Sequence, residues 1–199
     1  MVRLGISVEG VTEERFVKSS LVPYLAKKKI YITPVSMDGN VSVDRVSHEL
    51  KNLLYSFDVV TTLYDFYGFK KMVAGETKRS LEMRILQSVP EKLQANLIPY
   101  IQMYEFEGLL FSSSSVIANV FQEDKWEPWA KNILDQFGGN PELINNSPET
   151  APSKRLAVTP YRKTTHGPNI AKEIGLDGIR LKCKGFDAWL SSLEALSIS

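Results

Sequence analysis

The stretch from Leu4 to Val17, Leu-Gly-Ile-Ser-Val-Glu-Gly-Val-Thr-Glu-Glu-Arg-Phe-Val, constrains the fold more than any other part of the chain. Leu4 to Val8 is a short apolar run with β-branched Ile6 and Val8, the kind that fills the middle of a parallel sheet. Gly10 allows a tight turn and Thr12 is placed to cap a helix starting at Glu13. Phe16, Val17, Ser20, Leu21 and Tyr24 then recur at helical spacing. A strand that turns directly into a helix opens an α/β domain, and such sheets carry their chemistry at the carboxyl ends of the strands. Glu9 stands at that end.

The same alternation continues. Ile30 to Val35 reads as a second strand, and Val43, Val46, Leu50, Leu53 and Leu54 mark an amphipathic helix. Phe57 to Asp65 is a third strand ending in a second carboxylate. Tyr67 to Gly75, with lysines at 70 and 71, reads as a mobile loop leading to a helix from Glu76 to Ser88. Asn96 to Glu105 is a fourth strand, with Pro99 marking an edge or a strand start. Glu105 to Phe111 turns into a short helix or loop, and the serines at 112–115 read as a helix entry. Residues 1–120 are thus expected to form an α/β domain with an open, mainly parallel four-stranded sheet flanked by helices. Residues 121–199 are expected to be a helical C-terminal extension packed on it. All three tryptophans, Trp126, Trp129 and Trp189, lie in that extension, and Trp189 is predicted to anchor it, with Phe186 and Leu190 on the same helical side.

At 199 residues and 43% hydrophobic, the chain can bury a full core. Its one cysteine, Cys183, excludes an internal disulfide and reads as packing. With only His48 and His166 beside it there are too few soft ligands for a zinc cluster, so a metal would be held by carboxylates. No apolar signal region opens the chain and no run approaches the roughly 20 apolar residues of a membrane helix, so a cytoplasmic, membrane-free protein is expected. Gly5 to Gly10 is not followed by Gly-Lys-Ser/Thr, which argues against nucleotide hydrolysis within this chain. The net charge of +1 conceals an asymmetry: residues 151–199 carry eight Lys/Arg against four Asp/Glu. An anionic partner would be sought there, although a few surplus lysines are also what an ordinary solvated face looks like.

Glu9, Asp65 and Glu105 or Glu107 close separate strands and would meet at one edge of a parallel sheet. Clustered carboxylates repel, and their usual purpose is to hold a hard cation such as Mg²⁺ or Mn²⁺ with room for a phosphate substrate. Glu13 and Glu14 lie in a first helical turn, where the dipole alone favours acids, and for Glu14 that is the better reading. By themselves Lys154 and Arg155 read as a solvated or helix-capping pair, and His166 as a loop hydrogen-bonder.

The stretch Val8-Glu-Gly-Val-Thr-Glu-Glu resembles the opening motif of Toprim domains, especially those of the OLD (overcoming lysogenization defect) nucleases and small bacterial Toprim-like proteins of unknown function related to them. Tyr104-Glu-Phe-Glu-Gly-Leu-Leu-Phe111, Pro152-Ser-Lys-Arg155, Tyr161-Arg-Lys163, His166-Gly167 and the segment from Ile179 to Leu190 are similar to that uncharacterised family across nearly the whole chain. The resemblance implies a Toprim-like fold in which Glu9 is a metal ligand or general acid/base, Glu13 is a second ligand one turn on, and Asp65 is the first acid of an Asp-x-Asp pair. This chain departs from the pattern, because the pair reads Asp65-Phe66-Tyr67; Glu105 or Glu107 would then supply the missing charge.

The implied function is a Mg²⁺- or Mn²⁺-dependent nuclease of a bacterial defence or DNA-maintenance system, working with a separate ATPase partner. In it Glu9, Asp65 and Lys154 would be catalytic, and Glu9, Glu13, Asp65, Glu105 and Glu107 would bind metal. Arg155, Arg162 and Lys163 would contact nucleic acid. Two alternatives stand beside it: a non-catalytic Toprim-like binding or regulatory module, favoured by the missing acid, and a phosphotransferase or hydrolase of small phosphoesters.

Overall fold

Leu4, Ile6 and Val8 alternate onto one face of the first strand and are fully buried there, which places this strand inside a sheet. In the computed structural model, which describes residues 1–145 and 147–198 (the side chain of Ile198 excepted), β1 (Val2–Val8) pairs in parallel with β2 (Ile30–Ser36) on one side and β3 (Val59–Asp65) on the other. The first crossover is α1 (Val11–Phe16), a π-helical turn at Val17–Leu21 and α2 (Val22–Ala26); the second is α3 (Val43–Ser56). Pro34 is tolerated in β2 because that strand is an edge. The first helix begins at Val11, earlier than expected, and Thr12 does not cap it. The N-cap is Gly10, whose N–H donates to the Glu13 carboxylate at 3.0 Å.

After β3 come α4 (Lys78–Gln87) and α5 (Glu91–Gln94), followed by a fourth strand in two pieces, β4 (Leu97–Ile98) and β5 (Ile101–Gln102), each parallel to β3. The sheet therefore has five short strands, in the order β2-β1-β3-β4 with β5 also on β3, where four were expected. The cause is Pro99, which has no N–H for the ladder. The register is nonetheless continuous across the break, from Val60 opposite Leu97 to Tyr64 opposite Ile101. Thr62 bridges it: its hydroxyl oxygen accepts the Tyr100 N–H and its O–H donates to the Tyr100 carbonyl, both at 2.8 Å. The glycine-flanked loop after β3 is pinned by Phe69, which is buried edge-on against Tyr64 at 5.7 Å, and by Lys70, whose N–H donates to Val41.

The remainder is helical: a 3₁₀ segment at Phe106–Ser112, α6 (Ser114–Phe121) capped by Ser113, α7 (Trp126–Gln136), short 3₁₀ turns, α8 (Pro152–Leu156), α9 (Lys163–Lys182) bent at Gly175, and α10 (Lys184–Glu194). Two apolar clusters form. One gathers Leu4, Ile6, Val8, Phe16 and Leu63 with Ile170, Phe186, Trp189 and Leu190; the other gathers Val46, Leu50, Val60, Tyr64, Leu81 and Ile85. Trp189 stacks on Tyr100 at 4.6 Å, and its indole N–H donates to the Thr61 hydroxyl at 2.8 Å. The buried Glu142 carboxylate accepts the N–H groups of Gly185 (2.7 Å) and Phe186 (3.1 Å), closing the first turn of α10. The architecture is α/β, a parallel sheet flanked by helices with a helical C-terminal part. No helix among the described residues is long and apolar enough to cross a membrane.

Candidate functional site

Parallel strands put their carboxyl ends side by side, and here that edge is acidic. Glu9 leaves β1 and Asp65 ends β3 beside it; the Asp65 N–H points at Glu9 Oε2, 3.4 Å away. Gly68 makes this approach possible, since a Cβ there would lie only 2.1 Å from the same Glu9 oxygen. Asp65 Oδ1 accepts the Phe106 N–H at 2.7 Å, which ties the 3₁₀ segment to the end of β3 and brings Glu107 to the cluster. Glu13 arrives from the first turn of α1. Glu13, Asp65 and Glu107 are 2%, 4% and 0% exposed.

Buried carboxylates normally find hydrogen-bond donors, and two oxygens here have none among the described residues. Glu13 uses Oε2 on the Gly10 N–H and leaves Oε1 without a partner. Glu107 Oε1 accepts the Tyr161 hydroxyl at 3.2 Å and lies 3.4 Å from the Lys163 ammonium, while its buried Oε2 has no partner. Lys163, at the start of α9, is thus the lysine that folds back onto the acids.

The electrostatics follow from this crowding. Burial first, and then the charge of Glu13, push Glu9 above its ordinary range, against the pull of Lys163. Asp65 is pushed further up by burial, Glu13 and Glu9. Glu107 is raised by burial against the opposing Lys163 charge. Burial alone would lower Lys163, but Glu107, Asp65, Glu13 and Glu9 together hold it above its ordinary value.

Of the residues singled out from the sequence, Glu9, Glu13, Asp65, Glu107 and Lys163 come together. Glu105 turns aside: its carboxylate accepts the Ser153 N–H (2.8 Å) and hydroxyl (2.9 Å), holding the first turn of α8. Lys154 and Arg162 are exposed. Arg155 donates from Nε to the Thr150 carbonyl at 2.7 Å and lies over the Phe137 ring. Tyr67, where the Asp-x-Asp pattern has its second acid, hydrogen-bonds Asn145 through its hydroxyl and packs on Tyr104.

Three residues given no role from the sequence support the cluster. Tyr161 binds Glu107, and Gly68 admits Glu9. Gly167 lets α9 approach α1, for a Cβ there would meet the Tyr161 hydroxyl at 2.8 Å and the Thr12 methyl at 3.3 Å. The signal lay in Tyr161-Arg-Lys163 running into His166-Gly167, where His166 Nδ1 accepts the Arg162 N–H at 3.0 Å and closes the start of α9.

The acids of this edge offer carboxylate oxygens, the ligand type a hard cation takes, while the Lys163 ammonium beside Glu107 competes for them. Among the described residues no three acidic, histidine or cysteine side chains converge closely enough to enclose one by themselves. Mg²⁺ does not need such a cage, being commonly held by one or two carboxylates plus water and substrate phosphate. The unpartnered oxygens of Glu13 and Glu107 fit that demand.

No curated protein matches this sequence significantly. The fold is similar to the structure described as the C-terminal region of the Burkholderia pseudomallei OLD protein, at 16% identity and a TM-score of 0.53, over 97% of this chain and 99% of that one. A family model matches residues 8–194, nearly the full chain and the whole acidic edge with it, and the protein therefore belongs to the family described as Domain of unknown function (DUF4276).

Proposed function

We propose that the acidic edge is a divalent-cation-dependent site that hydrolyses phosphodiester bonds in nucleic acid, of the kind found in the Toprim domains of OLD-family nucleases. The observation that carries this reading is the pair of buried, unpartnered carboxylate oxygens on Glu13 and Glu107, at an edge already crowded with Glu9 and Asp65. Negative charge without donors is costly in a protein interior and is put to use when a cation and a phosphate arrive. The fold similarity to the OLD protein supports the same reading.

Each residue then has a task. Glu13 and Glu107 hold the cation, Mg²⁺ or Mn²⁺, which when bound supplies positive charge to the phosphate. Glu9, half-buried and raised toward the working pH, accepts the proton of the attacking water. Lys163 compensates charge developing on the phosphate oxygens, the role for which Lys154 is the other candidate. Asp65 holds the Phe106 N–H and thereby the position of Glu107.

Cleavage of single- and double-stranded DNA and of RNA with Mg²⁺ or Mn²⁺ tests this, alone and with a co-expressed ATPase partner. Glu9→Gln should abolish cleavage, and Lys163→Ala should reduce turnover at least 100-fold while Lys154→Ala reduces it less. Activity surviving in Glu9→Gln would remove the acidic edge from the reaction. One observation favours a non-catalytic binding module instead: the Lys163 ammonium beside Glu107 already neutralises part of the cluster. That reading expects Mn²⁺ binding, or none, without cleavage of any of the three polymers.

A further inference from the structure

Arg155, one of the basic residues of the tail, is engaged with Thr150 and Phe137. A different basic surface lies between α1, α2 and α9. A cavity of about 350 Å³ opens there, lined by Arg15, Lys18, Ser19, Thr164, Thr165 and Asn169 together with Pro168. It has two cations, three hydroxyls and an amide, and no acid among its lining residues. A second cavity of about 230 Å³ shares Ser19 with the first and adds Ser20, Tyr24, Lys27 and Lys172, with Asp177 as its acid. The two make one groove along α9.

Three features suit this groove to an anion. Thr165, Asn169 and Lys172 recur at helical spacing, so they form one stripe of donors on α9. The π-helical turn at Val17–Leu21 places Ser19 and Ser20 in the opposite wall, and such turns are frequent at functional sites. Arg15 donates one N–H to the Thr164 carbonyl at 2.6 Å and keeps its other donors for a ligand. Lys18 pairs with Glu14 at 2.5 Å, and Lys27 and Lys172 show no ion pair among the described residues. Counting Glu14 and Asp177, the groove remains positive.

Its position joins it to the acids. Arg15 donates to the carbonyl of Thr164, the residue directly after Lys163, and Lys163 in turn lies 3.4 Å from Glu107. From Thr164 to Lys172 the helix rises about 12 Å, three to four phosphate steps of one duplex strand. We infer that this groove holds the sugar-phosphate backbone of a nucleic-acid strand whose scissile phosphate lies at the acidic edge. The inference rests on the phosphodiesterase reading and deepens it by naming the path of the substrate.

The test is fluorescence anisotropy of labelled single-stranded DNA, duplex DNA and RNA with Mg²⁺ and Mn²⁺ chelated, over a series of salt concentrations. The triple variant Lys18→Glu/Lys27→Glu/Lys172→Glu, all exposed residues, should bind at least 10-fold more weakly. Its salt slope should be shallower by about two to three, since each lost phosphate contact removes nearly one unit. Melting temperature and Mn²⁺ calorimetry on the same sample should match the wild type. Oligonucleotide binding equal to the wild type would overturn the groove. An equal loss of binding to polyglutamate would overturn the nucleic-acid assignment in favour of a general polyanion surface. Hydrolysis of bis(p-nitrophenyl) phosphate by the wild type, which does not need the groove, reads the acidic edge separately.

Discussion

Glu107 is the residue on which the acidic edge balances, because one of its oxygens takes Tyr161 and Lys163 while the other has no partner. Glu9, Asp65 and Glu107 are all raised above their ordinary values in the folded protein. Between that ordinary value, near 4, and the raised ones, the folded state binds more protons than the unfolded state. Their contribution to stability is therefore complete below pH 4 and is lost as the pH rises through the folded values. In cation-free buffer the melting temperature of the wild type relative to Asp65→Asn should fall between pH 5 and 8, and Mn²⁺ should restore more of it at pH 8 than at pH 5. A variant whose melting curve tracks the wild type across that range would show that ionising Asp65 at this buried, crowded edge costs the fold nothing. Gly167 gives a second test at this scale. Gly167→Ala drives a methyl group into the Tyr161 hydroxyl and should cost about 1–3 kcal/mol in thermal unfolding. Adding Tyr161→Phe, which removes that oxygen, should recover most of the loss; no recovery would place the clash elsewhere.

Among the elements, the broken fourth strand and α10 explain each other. Pro99 interrupts the edge of the sheet, Thr62 bridges the gap, and Trp189 covers it by stacking on Tyr100 while its indole N–H reaches Thr61. Trp189→Ala should cost about 3–5 kcal/mol by chemical denaturation, as a large cavity opens over the strand. Trp189→Phe keeps the stack and should cost about 1 kcal/mol more than ring shrinkage alone, the net worth of the hydrogen bond. Equal losses for the two would mean the indole N–H matters more than the packed area. Much of this was legible in the sequence: Ile6 and Val8 betray a buried strand, Pro99 an edge or strand start though not the break it makes, and the Phe186, Trp189 and Leu190 spacing a buried helix face. What could not be read were the long-range polar ties. Glu142 reaches the first turn of α10 across 43 residues, and nothing in the pattern around Pro141 or Gly185 announces it. The same holds for Lys163: from the sequence the catalytic lysine role falls to Lys154 and Lys163 is placed on nucleic acid, and it is the close approach of α9 to α1 at Gly167 that brings Lys163 to the acids.

At the scale of the molecule, the two apolar clusters differ in where their residues come from. Among the described residues, the buried members of the cluster containing Val60 and Tyr64 all come from residues 37–101. The other cluster takes Leu4, Ile6 and Val8 from the first strand, but Ile170, Leu176, Ile179, Phe186, Trp189 and Leu190 from the last 30 residues of the chain. One face of the sheet is therefore completed only when the C-terminal helices arrive, and the segment that leads into α9 and opens it brings Tyr161 and Lys163 to the acids. Folding and site assembly become one event, because α9 cannot dock on α1 without bringing Lys163 to Glu107. A chain ending near residue 120 keeps Glu9, Glu13, Asp65 and Glu107 in sequence, yet it strips the apolar cover from β1 and leaves the acids without their ammonium. It should bind a hydrophobic dye, melt without a cooperative transition and lose Mn²⁺ affinity, whereas the full chain should show one calorimetric transition. A truncated chain that melts cooperatively, or a full chain that melts in two steps, would make the C-terminal helices a separable unit and uncouple the acidic site from them.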